Sequence, residues 1–188
     1  MGPVPARKKS FLRAFRRDSH GSAAVEFALV LPILCYMIMN VADLSIYIYK
    51  RMEVDYAAQM GAQAAWKTCD ETEELPATVN CGDLETAVTA AVGGTSLGDE
   101  VSLVAGSLEE AYYCVNDAGA LELVSDVSTK PSDCTDAGMP SLQPGDYISL
   151  QVTYDYTPLF PGITITGMTT VGGMIESPIV QSAFMRLD

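Results

Sequence analysis

Apolar positions follow two different rules along this chain. From Ala23 to Tyr49 the run AAVEFALVLPILCYMIMNVADLSIYIY is apolar on every side, interrupted chiefly by Glu26, Asn40 and Asp43. It exceeds the ~20 residues that a helix needs to span a bilayer. After Lys50 and Arg51 the spacing becomes one-sided. RMEVDYAAQMGAQAAWKT sets Val54, Ala58, Gly61 and Ala65 at steps of four, three and four, a single helical stripe. Residues 22–68 are therefore read as one continuous helix, ~70 Å long at ~1.5 Å per residue. Pro32 should kink it or loosen one turn, because it removes a backbone donor and crowds the preceding turn. The small side chains of the stripe permit close approach either by the domain's own core or by a helix of another subunit. Periodicity does not choose between these.

Strand-like alternation begins later. Asp83 is a candidate N-cap for LETAVTAAV, and Gly93-Gly94 should end that short helix. EVSLVAG (100–106) alternates. EEAYYCV (109–115) and ALELVSDV (120–127) flank the turn sequence Asn116-Asp117-Ala118-Gly119. DYISLQVTYDY (146–156) alternates strongly. STKPSDCTDAGMPSLQPG between them reads as a polar loop, TPLFPG (157–162) as a turn, and PIVQSAFMRL (178–187) as a closing strand. The fold class is α+β: a long N-terminal transmembrane helix followed by a small, mainly antiparallel β-sheet domain. Three regions result: 1–21, 22–68 with the span ending near residue 49, and 69–188.

Charge orients this plan. The chain of 188 residues carries a net charge of −13, but six of its eleven basic residues (Arg7, Lys8, Lys9, Arg13, Arg16, Arg17) precede Gly21. Only Asp18 opposes them there, so residues 22–188 carry a net of −18. Such a body cannot neutralise phosphates, which argues against nucleic acid as a partner. Basic residues ahead of an apolar run place residues 1–21 in the cytoplasm and the body outside. A secretory signal would have a shorter apolar core with an A-x-A site close behind it. Here Ala62-Gln63-Ala64 follows the run by more than ten residues, so the helix should stay with the protein.

Cysteine usage suits an exported body. Cys35 lies in the apolar run and should pack as a small hydrophobe. Cys69, Cys81, Cys114 and Cys134 form an even set fit for two disulfides. The local pairing, 69–81 and 114–134, is preferred among the three connectivities. Cys69 follows the long helix and Cys81 precedes the next, so the first bridge would staple the acidic loop DETEELPATVN. Metal binding is the rival reading, but CxxC pairs are absent and His20 is the sole histidine.

Two acids in the apolar run need an account. Asp43 either lies in the bilayer with a partner or sits at the outer boundary. Tyr47, Tyr49, Lys50 and Arg51 mark an interface nearby and favour the boundary. Glu26 admits three readings: a carboxylate reaching toward head groups, an ion carrier, or a charge that gains a counter-ion on assembly. One helix cannot line an ion pathway. If the chain were cut after Gly21, a new amine would appear on Ser22, and Glu26 would be the fifth residue of the product. In a bundle, one chain's amine could then meet a neighbour's Glu26.

RRDSHGSAAVEFALVLP resembles a class III, type IV-like prepilin leader junction. More specifically, the chain resembles TadE-like minor pseudopilins of tight-adherence (Tad or Flp-type) pilus systems. The resemblance covers residues about 13–66 and the tail VTYDYTPLFPG…SPIVQSAFMRL, while residues 70–145 match no known pattern. It implies a pilin-like fold and cleavage between Gly21 and Ser22 by a prepilin peptidase. It also implies assembly and recognition roles for Glu26 and Phe27, and contacts with other pilin and pseudopilin subunits through the N-terminal helix. Location would be the bacterial inner membrane, single-pass, or a surface pilus built from it. TadF-like proteins share the front block, and TadG-like chains are usually much longer.

Catalytic signatures are missing. There is no H-E-x-x-H, P-loop or dinucleotide fingerprint. The G-x-S-x-G string GTSLG (94–98) follows the LETAVTAAV helix rather than a strand, and the sole histidine, His20, lies in the basic head. DETEE lacks the spacing of a calcium loop. Neither an enzymatic activity nor a cofactor is expected. The alternative to a pilus component is an uncleaved, membrane-anchored envelope domain that binds a ligand or surface.

Overall fold

The computed structural model describes residues 20–69, 71, 73–162, 164–165, 168–169, 175 and 177–187. The basic segment 1–19, Asp70 and Thr72 of the acidic loop, and much of the Gly/Thr-rich stretch 163–176 lie outside the described residues. Helix α1 runs from His20 to Thr68. It passes through Pro32 without a break, so the proline costs a backbone donor but does not divide the helix.

Two compact units divide the chain. One comprises the chain up to Leu44 with the segment that starts at Phe160; the other holds Ser45–Leu159 and the chain from Ile175 onward. The second unit contains the rest of α1, the short helix α2 (Ala77–Asn80), helix α3 (Leu84–Gly93) and a five-stranded antiparallel sheet. Its strands are β1 (Val101–Leu103), β2 (Glu109–Val115), β3 (Leu121–Asp126), β4 (Gly145–Tyr154) and, last in the chain, β7 (Ile179–Arg186). In the first unit, β5 (Thr164–Ile165) and β6 (Met168–Thr169) pair as a small hairpin.

Strand β4 organises the sheet. β7 pairs with it from Tyr147 to Tyr154. β2 pairs with Gly145–Ser149, and β1 with Val152–Tyr154. Since β7 overlaps both stretches, β1 and β2 must share the opposite edge of β4, one beyond the other. β3 lies outside β2, opposite residues Ala111–Val115. The sequence reading thus holds for the α+β class and for most elements. It overran on 100–106, where only three residues pair with β4 before the chain turns at Gly106, whose φ is +74°. Asp83 precedes α3 but makes no capping hydrogen bond with its side chain.

The core settles the small-residue stripe. Val54, Ala58 and Ala65 are buried with Ala57 and Ala62 against Leu84, Val88 and Val92 of α3 and Ile148, Leu150 and Val152 of β4. The stripe is the inward face of α1 in its own domain. Burial of each branched aliphatic side chain contributes about 1.5–3 kcal/mol. Gly61 permits the closeness: a Cβ there would lie 2.9 Å from Val92 Cγ2 and 3.3 Å from Leu150 Cδ2.

Candidate assembly site on the long helix

Every described side chain from Ala23 to Cys35 is exposed, all round the helix. A helix apolar on all faces needs lipid or other helices around it, and α1 is the one described helix long and apolar enough to cross a membrane. Phe27 is 62% exposed and Leu29 70%. Cys35, expected to pack as a hydrophobe, is free and exposed. Glu26 is exposed and is the only Asp, Glu, Lys or Arg from Ala23 to Cys35. The Gly21–Ser22 peptide lies within the first turns of α1. Glu26 lies four residues beyond Ser22, about one helical turn along the chain.

Asp43 has a defined partner. Its side chain is 0% exposed, and its Oδ2 accepts a hydrogen bond from the backbone N–H of Phe160 at 3.2 Å. The sequence offered this acid either a partner or a place at the outer boundary; the partner it has is the backbone N–H of Phe160. Three residues earlier, Asn40 donates from Nδ2 to the Tyr36 carbonyl at 2.7 Å. An Asp43→Ala variant should weaken the hold on Phe160 by about 1–3 kcal/mol, the cost of leaving this part-buried donor without its carboxyl partner. Amide exchange at Phe160 should then rise about tenfold or more while the sheet stays protected. Unchanged protection at Phe160 would remove the role given to Asp43.

Within the sheet-bearing unit, Tyr47 and Lys50 are three apart and share a helix face. Tyr156 meets Tyr47 edge-on, ring centres 5.5 Å apart. Lys50 Nζ sits 5.5 Å from the centre of the Tyr154 ring and 3.1 Å from Glu53 Oε2. Glu53 also accepts from Ser96 Oγ at 2.8 Å. Burial disfavours the Glu53 carboxylate, but the hydrogen bonds from Ser96 and Lys50 outweigh it and hold its pKa below the usual value.

The body's cysteines pair locally, Cys69 with Cys81 and Cys114 with Cys134, leaving none of the four as a thiolate for a metal. Each bridge contributes about 2–4 kcal/mol by restricting the unfolded chain. The second anchors a small core of its own with Ala137, Val124 and Met139. One clamp escaped the sequence reading. Glu110 accepts from the backbone N–H groups of Ala77 and Thr78 at 2.8 and 2.7 Å, and from the Thr78 hydroxyl. The signal was the alternation of β2, which turns Glu110 inward with Tyr112 and Cys114.

No curated protein and no solved structure matches this chain. A family model described as TadE-like protein matches residues 21–63. That stretch begins at the glycine of the proposed junction and ends within the part of α1 that packs on the sheet. The α+β architecture, a long apolar N-terminal helix leading into a small antiparallel sheet, agrees with it. Residues 21–63 are thus a TadE-like segment, and they support a TadE-like protein of the Tad pilus system.

Proposed function

We propose that this protein is a minor pseudopilin that takes part in assembling a Tad/Flp-type adhesive pilus. Residues 1–21 form a cytoplasmic leader, residues 22–68 the assembly helix with its span ending near 49, and the remainder an exported domain. A prepilin peptidase of the inner membrane cuts between Gly21 and Ser22. Glu26 then meets the new α-amine of a neighbouring subunit while Phe27 packs beside it. The partners are the peptidase and other pilin and pseudopilin subunits, not nucleic acid. The protein works as a structural component, without catalysis or cofactor.

The observation that carries this reading is the TadE-like match over 21–63, which opens at Gly21 and includes an exposed Glu26-Phe27 pair on an apolar helix. Mass spectrometry of the protein extracted from membranes of pilus-forming cells tests it. The expected N-terminus is Ser22. A chain that begins at residue 1 or 2 would leave an uncleaved, single-pass envelope domain instead.

A further inference from the structure

The sheet is one strand short at one corner. β3 covers the outer edge of β2 from Ala111 to Val115 and then leaves it after Asp126. Beyond that point, among the described residues, no strand pairs with the outer edge of β1. Its backbone groups can be assigned. Val104 N–H donates to the Gln151 carbonyl at 2.9 Å, and antiparallel ladders alternate residue by residue. Ser102 therefore turns its N–H and C=O toward β4, while Val101 and Leu103 turn theirs outward.

The outward edge opens into a groove of 760 Å³ between β1 and α3, floored by Leu84, Val92, Val101, Leu103 and Leu108. A second hollow meets it at Thr78 and Leu108 and continues along β2 to Leu123 and Asp126, where β3 ends. The two together trace the missing strand position, in line with β3. The charge around it has one sign. Glu85 and Asp99 line the first hollow, Glu109 and Asp126 the second, and no Lys or Arg lines either.

We propose that this notch is a docking site for an extended segment of a partner protein, which pairs with β1 as an added strand. The segment carries apolar side chains at alternate positions, to meet the groove floor, and lysine or arginine between them, to meet the acidic rim. Main-chain hydrogen bonds from Val101 and Leu103 supply the binding, and side-chain alternation supplies the specificity. The chain's basic residues cluster ahead of Gly21, in the segment proposed as cytoplasmic, and the body has no strongly basic segment, so for an exported site the occupant is another protein. The inference does not depend on leader cleavage.

A fluorescent peptide of about seven residues alternating lysine and valine, roughly 23 Å when extended, provides the probe against the full chain in detergent micelles. Two controls accompany it: the same peptide N-methylated at alternate backbone nitrogens, and a glutamate–valine counterpart. Saturable binding of the lysine peptide is expected, with at least tenfold weaker binding of both controls. Leu103→Pro removes an outward N–H without touching the ladder to β4, and should weaken the lysine peptide to a similar degree. Glu85→Lys, on the exposed flank of α3, provides a second variant that leaves the sheet backbone intact and should weaken binding by several-fold. Equal binding of the N-methylated peptide would mean attraction to the acidic body alone, and absence of lysine-peptide binding would mean a merely guarded sheet edge. Either result overturns the proposal.

Discussion

Replacing Gly61 by leucine is expected to unfold the sheet-bearing unit or bring it close to unfolding, and even Gly61→Ala should destabilise it. The alanine case is informative because two effects oppose each other. In a helix interior, alanine is preferred to glycine by about 0.8–1.0 kcal/mol. Against that, the added Cβ would meet Val92 Cγ2 at 2.9 Å, Leu150 Cδ2 at 3.3 Å and Val88 Cγ1 at 3.4 Å. Val92 is 1% exposed and Val88 and Leu150 are 0% exposed, so neither α3 nor β4 can yield without moving the other. Overpacking of this kind costs about 1–3 kcal/mol and should win, giving a net loss of about 1 kcal/mol for alanine. Leucine adds three more carbons in the same direction and should exceed the upper end of that range. Denaturant unfolding of the full chain in detergent measures both. A stabilised Gly61→Ala protein would mean that α1 does not approach α3 and β4 this closely.

That close approach also shows where the sequence was legible. The steps of four and three among Val54, Ala58, Gly61 and Ala65 identify a stripe, but they do not identify the surface it meets. Two partners fit small residues equally well, and only the packing of Val88, Val92 and Leu150 onto the stripe chooses between them. Strands β2, β4 and β7 were readable because in/out alternation runs along each, and β3, which does not alternate, because the turn Asn116–Gly119 sets it beside β2. β1 is too short for alternation to define its end, and its hydrogen bonds stop where Val104–Ser107 turn on themselves. The four-residue helix α2 has no periodicity to read. It exists beside Glu110, whose carboxylate takes up the N–H groups of Ala77 and Thr78 from 33 and 32 residues away.

Site residues divide in the same way. The glycine, the apolar run and the Glu26-Phe27 pair are local features; Glu26 stands out as an acid in an apolar run, while the roles expected of Gly21 and Phe27 come from the resemblance to prepilin junctions. The local cysteine pairing was also accessible, because Cys69 and Cys81 bracket one loop and lie 5.9 Å apart at Cα. Asp43 was visible as an anomaly, but its partner is a backbone N–H 117 positions away. A backbone donor leaves no mark in the sequence. The vacant strand position beside β1 is less accessible still, since it arises from the relation of β1, β2 and β3 and from no single segment.

Removal of the Glu26 carboxylate should have the largest effect on function and almost none on the fold. In a Glu26→Ala variant, insertion into the membrane should persist or improve, because acids oppose insertion most strongly where they lie in apolar runs. The sheet-bearing unit starts at Ser45, so its two disulfides and its core should form as before. Assembly is expected to fail. An amine and a carboxylate brought together out of water tolerate burial only as a pair, and deleting one partner costs about 3–5 kcal/mol, enough to reduce incorporation by two orders of magnitude or more. Glu26→Gln separates charge from shape: it keeps the side-chain length and a hydrogen-bonding group but cannot neutralise an ammonium. If pairing is the reason for the acid, the glutamine variant should fail nearly as completely as alanine. The measurement compares sheared surface fibres with the membrane fraction for each variant. Mapping the N-terminus of the membrane-retained protein distinguishes failed assembly from failed processing. Ser22 at the N-terminus, with no fibres, assigns the carboxylate to assembly. Normal fibres from Glu26→Gln would show that charge at this position is dispensable, and the apolar surface around Phe27 would then have to hold the subunits together by itself.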